Sequence, residues 1–275
     1  MTTSGKRILV IGMSGVIGGL VGRNLAERHS VRALNRSRTE DVEWFGADIC
    51  DLDAILPAFK GIDTVINMAT HMAKGGGSAS MAAEDVAAYI STNVVGVYNV
   101  YEAARRAGVT RVIFASAGAS VFNYVTEEPY RSMAEARWAD VPEDVPPLTH
   151  HAPYRPNGVY GASKAWGEAL GRCYSDLYGL SVICVRVGHV PHPPETEYDL
   201  SAYQASIYCS HRDIVQFFNL CVDAPDDVRF EIFFASSANR GLFRDIEHPR
   251  KVIGYVPQDG IKDWPFKNQN PGITS

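Results

Sequence analysis

The octapeptide GMSGVIGG, Gly12 to Gly19, follows the apolar run Ile8-Leu9-Val10-Ile11 and opens a segment with helical periodicity. A strand that ends in a glycine turn and passes straight into a helix admits few folds. In an open parallel sheet the first strand-to-helix turn receives a dinucleotide's pyrophosphate at the helix N-terminus. A side chain there would hold the phosphate off the backbone amides and the helix off the strand. Gly12, Gly15 and Gly18 are spaced GxxGxxG, and they define the expected phosphate cradle together with Ser14, Val16 and Ile17. A tight turn alone would also use glycine; the strand-turn-helix context favours dinucleotide binding.

The rest of the chain keeps the rhythm that such a turn requires. Strand-like runs at 7–11, 30–34, 64–68, 111–115, 181–187 and 229–234 alternate with helical patterns at 16–27, 52–59, 85–107, 158–178 and 213–222. This predicts an α/β fold, a doubly wound parallel sheet. Gly108 and Gly179 follow the last periodic residues of two helices, and Ser210 to Asp213 has capping-box spacing. The expected division is a nucleotide-binding domain over 1–187, with 210–237 returning to it, and a small substrate cap from 188–209 and 238–275. About forty residues rich in proline and charge separate the strand near Ala115 from the helix at Gly158, a length that points to a lid or substrate loop.

Composition excludes several classes. A net charge of -5 without a long basic run provides no footprint for nucleic acid, and no window has the apolar length of a membrane span. Five scattered cysteines without a CxxC pair suit a reduced compartment. The start of the chain has no apolar leader, so the expected location is cytoplasmic.

The second strand reads Leu34-Asn35-Arg36-Ser37-Arg38 at the point where a carboxylate would accept hydrogen bonds from a free ribose 2′-hydroxyl. A neutral Asn35 followed by Arg36, Ser37 and Arg38 suits a 2′-phosphate, so NADP is expected over NAD, with NAD still possible. Against this stands the reading of both arginines as solvated loop charges. Asp48 and Ile49 are expected to flank the adenine.

Tyr160 and Lys164, in YGASK, lie at i and i+4 and therefore share a helix face. An ammonium beside a phenol favours the phenolate, which makes the tyrosine a usable proton acceptor. The pair is common by chance; preceded by the glycine turn it becomes specific.

The motifs GMSGVIGG, ADICD, NMAT, STNVVGVYNVYEAARRAG, VIFASA, YGASK and VRVG, in that order, make the chain similar to the extended short-chain dehydrogenases/reductases, which include sugar-nucleotide epimerases and dehydratases. Within them it most resembles the uronate dehydrogenase group, through PNGVYGASKAWGEAL, CSHRD and SSANRG. The resemblance implies a Rossmann-type domain with Tyr160 as acid/base, Lys164 also on the nicotinamide ribose, and Asn93 ordering the proton path. It also implies Met68, Ala69, Thr70, Ala115, Val187 and His189 along the cofactor, and a homodimer paired through the helices at 85–107 and 158–178.

Two departures stand out. The family serine beside the tyrosine is replaced by Ala117, which leaves Ser116 as the expected catalytic hydroxyl and Ser120 as its alternative. Where the uronate group has a polar Ser-Asn-His run, this chain reads Ala117-Gly118-Ala119, and the segment of that group's carboxylate-binding arginine reads Tyr198-Asp199-Leu200. His71, Ala117 and Ser120 are the expected substrate contacts. The glycine run Gly75-Gly76-Gly77 after His71 reads as a flexible loop. His150-His151 lacks an evident acidic partner, so no metal is expected. The expected activity is hydride transfer between NAD(P) and a small sugar-like or sugar-acid-like molecule. The alternatives are an epimerase or dehydratase that retains its nicotinamide, or a cofactor-sensing protein.

Overall fold

The computed structural model describes residues 5–73, 83–193 and 199–263. Seven parallel strands form one sheet: β1 (Arg7–Ile11), β2 (Ser30–Asn35), β3 (Glu43–Gly46), β4 (Thr64–Asn67), β5 (Arg111–Ala117), β6 (Ser181–Val187) and β7 (Phe230–Ala235), in the order β3-β2-β1-β4-β5-β6-β7. The central strands read as unbroken apolar runs because helices cover both faces. Ile8, Leu9, Val10 and Ile11 are fully buried. β3, which the sequence marks only as a short strand-like stretch, is an edge strand of four residues, Glu-Trp-Phe-Gly, mostly exposed.

The helices are α1 (Val16–Ala26), α2 (Leu52–Ile55), α3 (Ala83–Ala88), α4 (Val97–Ala107), α5 (Tyr130–Ala134), α6 (Val159–Tyr178), α7 (Ala202–Ser206), α8 (His211–Asp223) and α9 (Glu247–Ile253). α1 and α8 bury Val21, Leu25, Ile214, Phe217 and Phe218 against one face of the sheet. α2, α4 and α6 bury Ile55, Val100, Tyr101 and Tyr174 against the other. The doubly wound α/β arrangement expected from the sequence is what the chain adopts. It places a crevice at the C-terminal ends of β1 and β4, where the strand order reverses.

The helix ends obey local rules. Gly108 and Gly179 close α4 and α6 in the left-handed region, at φ 71° and 69°. Ser210 caps α8 through the Asp213 amide. The Asp213 side chain does not reach back to complete a capping box. It is buried, and accepts from Ser237 Oγ and from the amides of Gln258 and Asp259, tying α8 to the chain beyond β7. The amide of Ala238 donates to Asp259 and that of Arg240 to Ile261.

The long connection after β5 is built rather than loose. It carries 3₁₀ turns over Gly118–Thr126 and Trp138–Asp140, with α5 between them. Val121, Val125, Ala134 and Leu148 share a small core with Ile207, Phe234 and Phe243. The 118–157 connection therefore packs with the segments expected to form the cap; residues 194–198 and 264–275, assigned to it from the sequence, lie outside the described residues.

Candidate active site

The three glycines of the first turn do three different things. Gly12 lies at φ 86°, and a Cβ there would meet the Ala69 amide nitrogen at 2.8 Å. A Cβ on Gly18 would sit 2.3 Å from the Gly12 carbonyl oxygen, so this glycine sets how closely α1 packs on β1. Gly15 is the N-cap of α1, in extended conformation and exposed, and a Cβ there would touch only the Gly12 carbonyl at 3.4 Å. α1 has no side-chain cap and no acid in its first turn, so the positive end of its dipole and its unpaired amides face the crevice. These are the demands of a dinucleotide phosphate, and the residues fit one.

A cleft of about 260 Å³ runs from this turn to the end of β2. Of the expected cofactor residues it takes its walls from Gly12, Ser14, Gly15, Asn35, Arg36, Asp48, Ile49, Met68, Ala69 and Thr70; Ile11, Leu34, Ala47 and Thr92 also line it and were not expected. Asn35 Nδ2 donates to Thr39 Oγ1 at 2.5 Å, while its Oδ1 is buried without a partner, a free acceptor in the cleft wall. Arg36 is 81% exposed, 3.8 Å from Asp48, a contact worth little in solvent. Asp48 is held below the ordinary carboxylate range, first by the Cys50 amide that bonds it. Ser37 is exposed beyond the end of β2, and Val16 and Ile17 stand on α1 outside the cleft wall.

Tyr160 lies in the first turn of α6, buried among Tyr89, Ala117, Ala119 and Val159. Burial and the neighbouring Tyr89, whose ring lies 6.1 Å away, push its phenol above its ordinary pKa. Lys164 is also buried; desolvation brings its ammonium down to about 7. Its Nζ donates to the Ala115 carbonyl at 2.9 Å and stands 5.6 Å from the centre of the Tyr160 ring. The expectation that the amine acidifies the phenol is thus corrected: burial outweighs it, and the Ala115 carbonyl holds the ammonium.

Asn93 sits in a π-helical stretch, Tyr89–Gly96, that joins α3 to α4, the kind of helix irregularity that marks functional sites. Its Oδ1 accepts from the His71 amide at 2.7 Å, and its Nδ2 donates to the His71 carbonyl and to Ser163 Oγ. One side chain therefore locks the turn after β4 to α6. Tyr89, missed in the sequence because it reads as one more apolar helix residue, accepts from the Ala73 amide and packs against both His71 and Tyr160. His71 is placed with its ring on Tyr89 and its Nε2 3.7 Å from Asp85, one residue removed from Tyr160. The glycine run 75–77 lies outside the described residues.

The two serine candidates are corrected. Ser116 turns into the core, where its hydroxyl donates to Glu168 Oε1 at 2.5 Å. Glu168 in turn holds Arg186 at 2.8 Å, both residues being buried. Ser120 is buried, with its hydroxyl on the Ala117 carbonyl at 3.0 Å. The apolar cluster that holds the Tyr160 side chain takes in Ala117 and Ala119 instead. Strand alternation explains this: Ser116 and Ala117 face opposite sides of β5. His189 also departs from expectation, for its backbone is committed to the cap, its amide to the Ile207 carbonyl and its carbonyl to the Cys209 amide. Val187 packs against the core between the sheet, α1 and α8.

The fold supplies His150 with the acidic neighbour that the sequence did not reveal, though not through His151. The His150 ring stacks on His248 at 3.9 Å with 14° between planes, and His248 Nε2 lies 2.7 Å from Glu231. One ligand atom from each of His150, Glu231 and His248 lies within 4.8 Å of the other two, a grouping that the sequence did not show. Burial and the imidazoles of His248 and His151 bring His150 down to about 4.

Among relatives, NAD-dependent glucose-6-phosphate dehydrogenase of Haloferax volcanii is 29% identical over 95% of this chain and 97% of its own. L-arabinose 1-dehydrogenase (NAD(P)(+)) of the same organism is 30% identical over 92% and 96%. A crystal structure of uronate dehydrogenase from Agrobacterium tumefaciens, a mutant complexed with NAD, superposes with a TM-score of 0.72 at 26% identity, covering 94% of this chain and 86% of that one. The model of the NAD dependent epimerase/dehydratase family matches residues 8–207, from β1 through the cap segment beyond β6. A match that spans the glycine turn, the Tyr160 helix and the start of the cap in one run makes this chain a member of the NAD dependent epimerase/dehydratase family.

Proposed function

We propose that the chain is an NAD(P)-dependent dehydrogenase of a small sugar-like molecule, with Tyr160 as its acid/base. The observation that carries this is the buried Tyr160 phenol on the same helix as Lys164, whose Nζ bonds Ala115 near the C-terminal end of β5, the same end of the parallel sheet at which β1 passes into the bare N-terminus of α1. Gly12, Gly15, Asn35, Arg36, Met68, Ala69 and Lys164 would hold the dinucleotide. When bound, its nicotinamide supplies the hydride acceptor or donor. Tyr160 Oη takes the proton of the substrate hydroxyl during oxidation and returns it during reduction. Lys164, near neutrality in its own titration, is poised to change its proton or its hydrogen-bond partner when the site fills. Asn93 holds the turn after β4 in place while this happens.

The curated relatives that oxidise glucose 6-phosphate and arabinose support a sugar-like substrate. The test follows reduction of NAD+ and NADP+ with a panel of aldoses, sugar acids and sugar phosphates. Tyr160→Phe is expected to lower kcat about 1000-fold and leave cofactor affinity within about threefold. Equal rates for the two proteins would end this reading.

NADP is the cofactor this reading favours. Asn35 replaces a carboxylate that would repel a 2′-phosphate, and the exposed Arg36 is free to meet one. Arg36→Ala should weaken NADPH binding about tenfold and NADH binding by less than half as much in free energy, measured by calorimetry. Equal affinity of the wild-type protein for both would undo the argument from Arg36. A homodimer is part of the same reading, supported by Val95 and Tyr98, and by Leu177 and Tyr178 at the end of α6, all exposed.

A further inference from the structure

Arg244 carries a guanidinium that the fold buries without an anion. It lies 3% exposed where the cap closes over the ends of β5 and β7, its Cζ 5.6 Å from the Phe234 ring and 5.7 Å from the Phe243 ring. Its Nη2 donates to the Tyr203 hydroxyl at 3.2 Å. Nε and Nη1 have no partner among the described residues. Arg186 also approaches Phe234, its Cζ 5.3 Å from the same ring. Arg186 gives Nε and Nη2 to Glu168 and leaves Nη1 buried without a partner.

Arg186 thus has Glu168, Arg244 has no carboxylate partner among the described residues, and three buried donor nitrogens face no acceptor there. Burial and the like charge of Arg186 both act against the charged form of Arg244. A guanidinium does not deprotonate in a protein, and aromatic faces relieve only part of such a cost. An arrangement of this kind is stable when an anion completes it.

The position of Arg244 relative to the reacting groups is set by Gly118. This residue lies between Ala117 and Ala119, both of which pack around Tyr160. It is not among the glycines with positive φ, so backbone conformation does not require it. A Cβ at 118 would meet Nη2, Cζ and Nη1 of Arg244 at 2.1, 2.4 and 2.5 Å. The guanidinium occupies the space that any side chain at 118 would take, one residue from the groups that surround the phenol.

We propose that Arg244, with Arg186 Nη1 nearby, is the anion anchor of the substrate site, so that the substrate carries a carboxylate or a phosphate as well as the carbinol that meets Tyr160. The proposal rests on the dehydrogenase reading for its substrate, and on the guanidinium geometry for its site. Carboxylate and phosphate offer the same chemistry to these donors, and the assay separates them.

Turnover with the preferred nicotinamide cofactor is measured for a hexuronic acid, a hexose 6-phosphate and the neutral hexose. One of the two anions is expected to exceed the neutral sugar about 100-fold in kcat/KM, chiefly through KM. Arg244→Met should bring that ratio close to one, Arg244→Lys should restore part of it, and Gly118→Ala should raise KM for the anion by displacing the guanidinium. The last two variants decide the matter if Arg244→Met fails to fold. A neutral hexose used as well as both anions, with a ratio that none of these variants moves, overturns the anchor and leaves the dehydrogenase intact. If no sugar is oxidised, the dehydrogenase reading fails instead. Calorimetric titration of the same two anions into the cofactor-loaded protein then judges the anchor alone: binding that Arg244→Lys weakens supports it, and no binding overturns it.

Discussion

Lys164 Nζ donates to the carbonyl of Ala115, the residue two before the methyl group that packs against Tyr160. The ammonium is thereby fixed between the end of β5 and the first turn of α6. It serves the backbone and does not bond the phenol. Two consequences can be measured.

The first concerns activity. Burial pushes the Tyr160 phenol up, so in the oxidative direction the deprotonated base is a minor form at neutral pH. Its fraction grows about tenfold per pH unit below the pKa. kcat/KM for oxidation should therefore rise from pH 7 toward pH 9.5, and Lys164→Met should displace the rising limb upward. A flat profile over that range would show that Tyr160 is not the group whose ionisation limits the rate.

The second concerns stability. In the unfolded chain Lys164 keeps its proton to about pH 10.5, but in the folded protein only to about 7. Between those values the unfolded state holds more protons, so the folded state gains stability as pH rises; the cost of the buried charge is fully present below the lower value. The slope from this one residue approaches about 1.4 kcal/mol per pH unit at its steepest. Urea midpoints of the wild-type protein and Lys164→Met, compared at pH 6.5, 8 and 9.5, should converge as pH rises, with the variant the more stable at the acid end.

Substitutions at the first turn should separate folding from binding. Gly18→Ala forces a methyl group onto the Gly12 carbonyl and should cost about 2 kcal/mol or more of stability. Gly15→Ala meets only a 3.4 Å contact in open surroundings, so its melting temperature should stay near that of the wild-type protein. Its cofactor affinity should fall at least about tenfold, because the methyl group stands where the phosphate approaches the amides. Calorimetry with NADPH, beside thermal melts, makes the comparison.

Ser116 distinguishes a structural hydroxyl from a catalytic one. Its proton goes to Glu168, which already carries the buried Arg186. Ser116→Ala should destabilise the fold by about 1–3 kcal/mol, through a buried carboxylate that loses a donor, and lower kcat by less than about tenfold. A thousandfold loss of kcat with unchanged stability would return the residue to the catalytic set.

The plan of the sheet was legible in the chain because it depends on local chemistry. Apolar runs of strand length, glycines at helix ends and the glycine turn after β1 act over a few residues, and each appears where its local pattern places it. β3 showed only as a short strand-like stretch because Glu43 to Gly46 is a mostly exposed edge of four residues, too short and too polar for a clear pattern. Tyr160 and Lys164 were readable for a similar reason, since their face-sharing follows from one turn of helix.

What spacing along the chain does not encode is the partner that a side chain meets across the fold. Ser116 looked like a hydroxyl beside the tyrosine until strand alternation and α6 turned it toward Glu168. Lys164 looked like the phenol's acidifier until burial proved the larger effect on both groups. Arg244, some eighty residues beyond the tyrosine and in no motif, reaches Gly118 only because the chain beyond β7 folds back over the sheet. By itself the sequence determined the strand and helix order, the glycine turn after β1 and the shared helix face of Tyr160 and Lys164, all products of short-range geometry. Only the tertiary structure decided which charges are buried and which remain unpaired, because desolvation depends on contacts between segments that are distant in sequence.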